Sequence, residues 1–208
     1  MSRSNSAESP YHHGDLRNTL IKAGVQMLAD VGEGGMSMRK LAKTAGVSHN
    51  APYMHFADKE ALLAAIAEEG FLIMGRQIEE AINGAGQEWQ AQLHGGCNAY
   101  VRFALDYPNH FNVMFRGYPH EKYAALHQIS MGSLAVLGRV VAQGQASGHL
   151  IQRDIREMAT QIWFMLHGIS TILVGHTIPL TIVGDRTTEE VVSGSIQALL
   201  DGLANNSN

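Results

Sequence analysis

Residues 36–63 read MSMRKLAKTAGVSHNAPYMHFADKEALL, and this stretch decides the fold. A short segment with helical periodicity begins after Ser37, whose side-chain oxygen can satisfy free N–H groups at a helix start, and buries Leu41, Ala42 and Ala45. Gly46 and Val47 make a tight turn. Ser48 then caps a third short helix running through Phe56. Asp58 caps a longer fourth helix, in which Leu62, Leu63, Ile66 and Ile73 recur at helical spacing. Two short helices joined by a three-residue turn form a helix-turn-helix. Pro52 has no N–H to give, so the third helix is predicted to be short or tightly wound at its start.

Working outward from this stretch, spacings of three and four dominate and strand-like alternation is nearly absent, which predicts an all-α chain. A first helix covers about residues 15–31, with Leu16, Leu20, Ala23, Met27 and Val31 on one face and Gly32 as its stop. Beyond Gly84–Gly86 the helices continue. One carries Trp89, Leu93, Tyr100, Phe103 and Ala104 on a stripe, and Pro108 starts a short one carrying Phe111, Met114 and Phe115. Others cover about 121–145 and 155–176, the latter ended by Pro179. Thr187 and Glu190 form a capping box for the last, which buries Val191, Ile196, Leu199, Leu200 and Leu203. The polar ends, 1–9 and 205–208, are read as frayed. The organisation is an N-terminal three-helix domain over 1–66 and a larger helical domain over 67–208.

The chain of 208 residues is 45% hydrophobic and 16% charged, enough for a sizeable core. Its net charge of −4 is unevenly placed. Residues 1–66 hold seven Lys/Arg against six Asp/Glu and four of the histidines, while 67–208 hold eight against thirteen. The acidic balance thus belongs to the C-terminal part, and a nucleic-acid contact needs only a local basic face. The single cysteine, Cys97, cannot form an internal disulfide, which suits a reducing cytosol. The N-terminus has no apolar signal-peptide core. From Met158 to Gly184 there is no charged side chain. That length could span a bilayer, but the polar residues within it favour a helix buried between protein surfaces.

A helix-turn-helix projects the start of its second helix into a major groove. Ser48, His49, Asn50 and Ala51 supply the small and polar side chains that base edges require, Asn toward adenine and His toward purine acceptors. Tyr53, His55 and Lys59, with Ser37, Arg39 and Lys40, are candidates for fixing register on phosphates. The first turn of the fourth helix adds free N–H groups beside Lys59. Each has a plainer alternative: His55 packing beneath the helix, Tyr53 as a core aromatic, Arg39 and Lys40 as a solvated face, and His12 and His13 as an arm free of DNA.

In this stretch the sequence resembles the TetR family. The resemblance covers roughly residues 11–66 and rests on Tyr11-His12-His13-Gly14-Asp15-Leu16, Gly46-Val47-Ser48, Tyr53, His55-Phe56 and Asp58-Lys59-Glu60-Ala61-Leu62. It implies backbone-anchoring roles for Tyr53, His55 and Lys59, and base-reading roles for Arg39 and residues 48–51. Met54 stands where the family often has tryptophan or arginine. The C-terminal part resembles a subset named for a Trp–His–Gly signature, here Trp163, His167 and Gly168, supported by Tyr107-Pro108, Phe111 and Phe115. The resemblance implies a DNA-binding switch, generally a repressor, whose small-molecule effector changes the spacing of two reading heads.

The C-terminal domain has interior stripes rich in aromatics and methionine: Trp89, Tyr100, Phe103, Phe111, Met114, Phe115, Met131, Trp163, Phe164 and Met165. A pocket there is expected to take a mainly apolar small molecule, with Tyr100, Phe103, Phe111, Met114, Phe115, Trp163 and His167 as its candidate lining; a purely structural core is the alternative for each. The last two helices carry more apolar surface than one small core covers, which predicts a homodimer on a palindromic operator. The pattern offers no metal signature and calls for no cofactor. It shows no nucleophile elbow or phosphate loop, so an enzyme is not expected. The expected setting is cytoplasmic, off the membrane. The alternatives are a regulator that activates or one that acts without an effector.

Overall fold

The computed structural model describes residues 13–176 and 185–204. His12, Pro179 and the polar ends lie outside the described residues, as does the side chain of His13. Among the described residues there are eight α-helices, one 3-10 turn and a single isolated bridge, Leu150 to Ala204. The chain divides into two compact units at Ile66/Ala67.

In the first unit, α1 (His13–Gly35) is broken at Gly32, whose backbone sits at φ 63°, ψ 176°. That positive φ is open to glycine and strained for other residues. Leu20, Ala23 and Met27 face the core, whereas Val31, at the break, is exposed rather than on the buried stripe. Helix α2 (Met38–Thr44) starts at Ser37, which accepts from the Lys40 N–H at 3.2 Å. It ends in a glycine-capped motif: Gly46 has φ 68°, and the Val47 N–H reaches back to the Ala42 carbonyl at 3.0 Å.

The reading segment differs from its expected form. Ser48 caps nothing with its side chain. The third helix is one 3-10 turn, Ala51–Met54, with Asn50 at its N-cap position and Pro52 in its first turn. Lacking the Pro52 N–H, the segment cannot start a regular α ladder and closes instead with short-range bonds such as Tyr53 N–H to Asn50 carbonyl. Helix α3 (Lys59–Gly84) begins where Asp58 accepts from the Ala61 N–H at 2.7 Å. It lies close to α1: a Cβ on Gly24 would stand 3.0 Å from Ile66 Cδ1.

The second unit is built round α4 (Trp89–Asp106), which packs on α5 (Pro108–Met114), α6 (Ala124–Ala146), α7 (Ile155–Gly175) and α8 (Thr188–Leu203). Leu93, Cys97, Tyr100, Phe103 and Ala104 of α4 are fully buried. Burial pushes the Cys97 thiol up to about 12, so it is an inert core side chain. Pro108 opens α5. Helix α6 starts at Ala124 rather than near Glu121, because the Lys122 and Tyr123 N–H groups turn back onto the Pro119 carbonyl. Asp154 caps α7 through the Glu157 N–H at 2.9 Å, and His176 ends it in the left-handed conformation.

The reciprocal Thr187–Glu190 box opens α8, with bonds of 3.2 and 2.7 Å. The buried face of α8 is Val192, Ile196, Leu200 and Leu203, with Val191 and Leu199 only half-buried. Both α6 and α7 are long and apolar enough to cross a membrane by length and composition alone. Within this unit α7 buries Met158, Ile162, Leu166 and Ser170 against protein.

Candidate functional site

Within the first unit, Arg39, Lys40, Ser48, His49, Asn50, Tyr53 and Met54 are exposed and His55 and Lys59 half-buried. Tyr53 is 50% and Met54 74% exposed, large side chains held out of the core on a single turn. Ala51 is a correction: at 8% exposure it faces inward with Pro52, so these two anchor the turn while their neighbours point out. The Ser37 hydroxyl caps α2 by accepting from the Lys40 N–H at 3.2 Å. Lys40 Nζ donates to the Gly35 carbonyl at 2.9 Å and Lys59 Nζ to the Glu33 carbonyl at 3.3 Å. Both ammonium groups are thereby held against the last residues of α1. His49 Nδ1 lies 3.4 Å from Asn50 Oδ1, and the His49 ring stands 6.3 Å from Tyr53. The exposed set offers hydrogen-bond donors and acceptors at Ser48, His49 and Asn50, flanked by cations.

In the second unit the chain brings five of the expected lining residues into one cluster. Tyr100 Oη is 3.2 Å from His167 Nδ1. Around the His167 ring stand Phe115 at 4.4 Å, Phe111 at 5.4 Å and Trp163 at 5.5 Å. Phe111 meets Tyr100 edge-on at 6.4 Å and Phe115 at 5.3 Å. Trp163 and His167, four residues apart on α7, are half-buried, while Tyr100 and Phe111 are buried. Phe103 is set aside, stacked on Tyr107 at 5.2 Å. Met114 is buried against Gly70 of α3, where an added Cβ would stand 2.6 Å from its Sδ. Met131 and Phe164 do not belong to an interior stripe: both are exposed, on the outer faces of α6 and α7.

The electrostatics of this cluster follow from burial. Desolvation holds the Tyr100 phenol well above its ordinary range, against a smaller opposing pull from the Trp163 indole, and lowers His167 below the ordinary imidazole value. The ring and hydrogen-bond partners of the five residues are one another, Phe71 and Phe164, all uncharged. The buried Trp163 Nε1 falls short of ideal hydrogen-bond geometry, with the Tyr100 hydroxyl as its neighbouring acceptor. Residue spacing carries no sign of the His110–Glu69 pair beside the cluster, since its partners lie 41 residues apart. Among the described residues no group of three or more His, Cys, Asp or Glu side chains could hold a metal ion.

Two family models match this chain. Bacterial regulatory proteins of the tetR family match residues 20–66, and the tetracyclin repressor-like C-terminal domain matches residues 93–194. The chain belongs to the TetR family. Its relatives include the class D tetracycline repressor of Escherichia coli, 27% identical over 201 residues that span 79% of this chain and 90% of that protein. The class G repressor of Vibrio anguillarum is 42% identical over 91 residues, 44% of this chain and 42% of that protein. A Rhodococcus sp. RHA1 protein of unknown function has a similar structure, with a TM-score of 0.82 and 33% identity over 95% of this chain and all of that one. The fatty acid degradation regulator FadR of Bacillus halodurans shares the fold, with a TM-score of 0.72 and 20% identity over 94% of this chain and 97% of its own. As a TetR-family member this protein is a DNA-binding transcriptional regulator, and its helix-turn-helix is the element built from residues 37–56.

Proposed function

We propose that this TetR-family regulator is a repressor, released from its operator by a small, mainly apolar effector that binds at the Tyr100–His167 cluster. The observation that carries this is the half-buried His167 ring, with the Phe111, Phe115 and Trp163 rings centred 5.4, 4.4 and 5.5 Å from it. An aromatic cluster with few convergent polar groups suits an apolar ligand better than an ion. In this reading His49, Asn50 and Ser48 read bases, and Arg39, Lys40, Tyr53, His55 and Lys59 hold phosphates, with the Ser37-capped start of α2. The relatives named as tetracycline repressors support repression as the mode, and their classification as regulators supports a role outside catalysis.

The operator is a palindrome read by a homodimer, in the cytoplasm where the DNA lies. The exposed face of α7 supports this assembly, since Phe164 is 63% exposed. Effector and operator oppose each other because each favours a different conformation, so each weakens the other by the same factor. The test is fluorescence anisotropy of the regulator's own promoter fragment, titrated with apolar compounds. Release by such a compound, lost in Phe115→Ala, is the expected result. Release only by anionic or phosphorylated compounds, or activation of transcription by the bound protein, would overturn the reading.

A further inference from the structure

Met54 is 74% exposed, the most exposed large apolar side chain among the described residues. It closes the 3-10 turn Ala51–Met54, whose first two members, Ala51 and Pro52, are buried. The backbone around it is pinned: the Pro52 carbonyl accepts from the His55 and Phe56 N–H groups at 3.1 and 2.9 Å, and Phe56 is buried. With Pro52 and Phe56 both turned inward, the short turn leaves Met54 outside, on the same segment as the exposed Ser48, His49 and Asn50. A lone exposed apolar residue is ordinary on a protein surface. On the element that meets DNA, its surroundings in the complex are base edges and the sugar–phosphate backbone.

We infer that Met54 is a specificity-determining residue that reads the C5-methyl group of a thymine in the major groove. This rests on the assignment of the turn to base reading and extends it from polar groups to an apolar one. A thioether has no N–H or O–H, so it cannot donate to a phosphate oxygen as Tyr53, His55 and Lys59 can. The apolar group that base edges present in the major groove is the thymine methyl. Ala51, whose methyl could also meet it, is 8% exposed and faces inward. Tyr53 ends in a hydroxyl, and its ring lies 6.3 Å from that of His49. The unbranched Met54 side chain adapts to the position of the methyl with little strain. Covering one methyl changes affinity about fourfold.

The experiment uses the full-length protein and the duplex it selects from a random pool. Each thymine of that duplex is replaced in turn by deoxyuridine, which removes the C5-methyl and keeps every hydrogen-bonding group. Fluorescence anisotropy is expected to show at least one thymine whose replacement weakens the wild type about fourfold. Met54→Ala is expected to bind the thymine and deoxyuridine duplexes alike, as tightly as the wild type binds the deoxyuridine one. Met54→Leu, which keeps an apolar side chain, is expected to retain the methyl preference. If no thymine is sensitive, or if Met54→Ala weakens binding to both duplexes by the same factor, the assignment is overturned. A Met54→Ala protein that fails to fold, as circular dichroism would show, places the side chain in the core and overturns it too. His49→Ala and Asn50→Ala separate the two readings. Base preferences altered in those variants, without a methyl effect at Met54, overturn the Met54 assignment alone; preferences altered in neither overturn the base-reading turn itself.

Discussion

Glu69 of α3 accepts a hydrogen bond from His110 Nε2 of α5 at 3.1 Å, with His110 buried and Glu69 half-buried. The next residue, Gly70, holds the same two helices close: an added Cβ would stand 3.1 Å from His110 Cβ. Helix α5 also carries Phe111, a member of the Tyr100–His167 cluster, and α3 is continuous from Lys59 to Gly84. On the function proposed above, a ligand that displaces Phe111 is expected to act on α3 through this pair. His110→Phe keeps the buried volume and removes the bond. It is expected to lower the effector–operator coupling by about 0.5–2 kcal/mol, with less change in either affinity alone. Calorimetry of effector binding with and without operator measures this, and unchanged coupling would refute the role of the pair.

The reading turn makes a separable prediction. Lys59→Ala is expected to weaken binding on every sequence and to reduce the salt-dependence slope by about one. Asn50→Ala and His49→Ala are expected to relax preference at particular base pairs, at about 1–3 kcal/mol each. Ala51→Ser puts a hydroxyl at a site that is 8% exposed, so it is expected to cost stability rather than to alter sequence preference. Equal losses on cognate and random DNA for the variants at 49 and 50 would refute their assignment.

What was legible in the sequence divides along local and long-range lines. The caps at Ser37, Asp58 and Thr187, the break at Gly32 and the proline start of α5 could all be read, since each is fixed by neighbours within four residues. The inward turn of Ala51 was not, because Pro52 converts the expected helix into a 3-10 turn and rotates its first residue. Val192 rather than Val191 faces inward for a similar reason: adjacent apolar residues leave the helix phase open, and only packing decides it. The Tyr100–His167 and Glu69–His110 pairs join residues 67 and 41 positions apart, which periodicity cannot connect.

The cluster also predicts a pH dependence. Burial lowers the His167 pKa in the folded protein below its unfolded value. The unfolded chain then binds the proton more readily, so the contribution is fully present above about pH 6.5. It declines as pH falls through that value toward the lowered folded pKa. Thermal unfolding of the wild type is expected to shift downward between neutral and mildly acidic pH, and His167→Gln to flatten that shift. An identical slope in the variant would show that His167 is not the titrating group.

Assembly gives the last prediction. On α7, Phe164 is 63% and Ile172 36% exposed, and Gly168 lies between them at four-residue spacing with open space where a Cβ would stand. On α8, Gly194, Ala198 and Gly202 repeat the same spacing on an exposed face, both glycines again open. Such faces let a symmetry mate approach closely, and in a two-fold interface each residue is used twice. In the proposed dimer, Phe164→Glu is expected to place two carboxylates in an apolar contact. It lies outside the buried α7 face of Met158, Ile162, Leu166 and Ser170, so the fold itself is expected to persist, as circular dichroism would show. Light scattering is expected to report a monomer at micromolar concentration, and binding to the palindrome is expected to fall to that of a half-site. A dimer that survives Phe164→Glu with full operator affinity would place the interface elsewhere on the second unit.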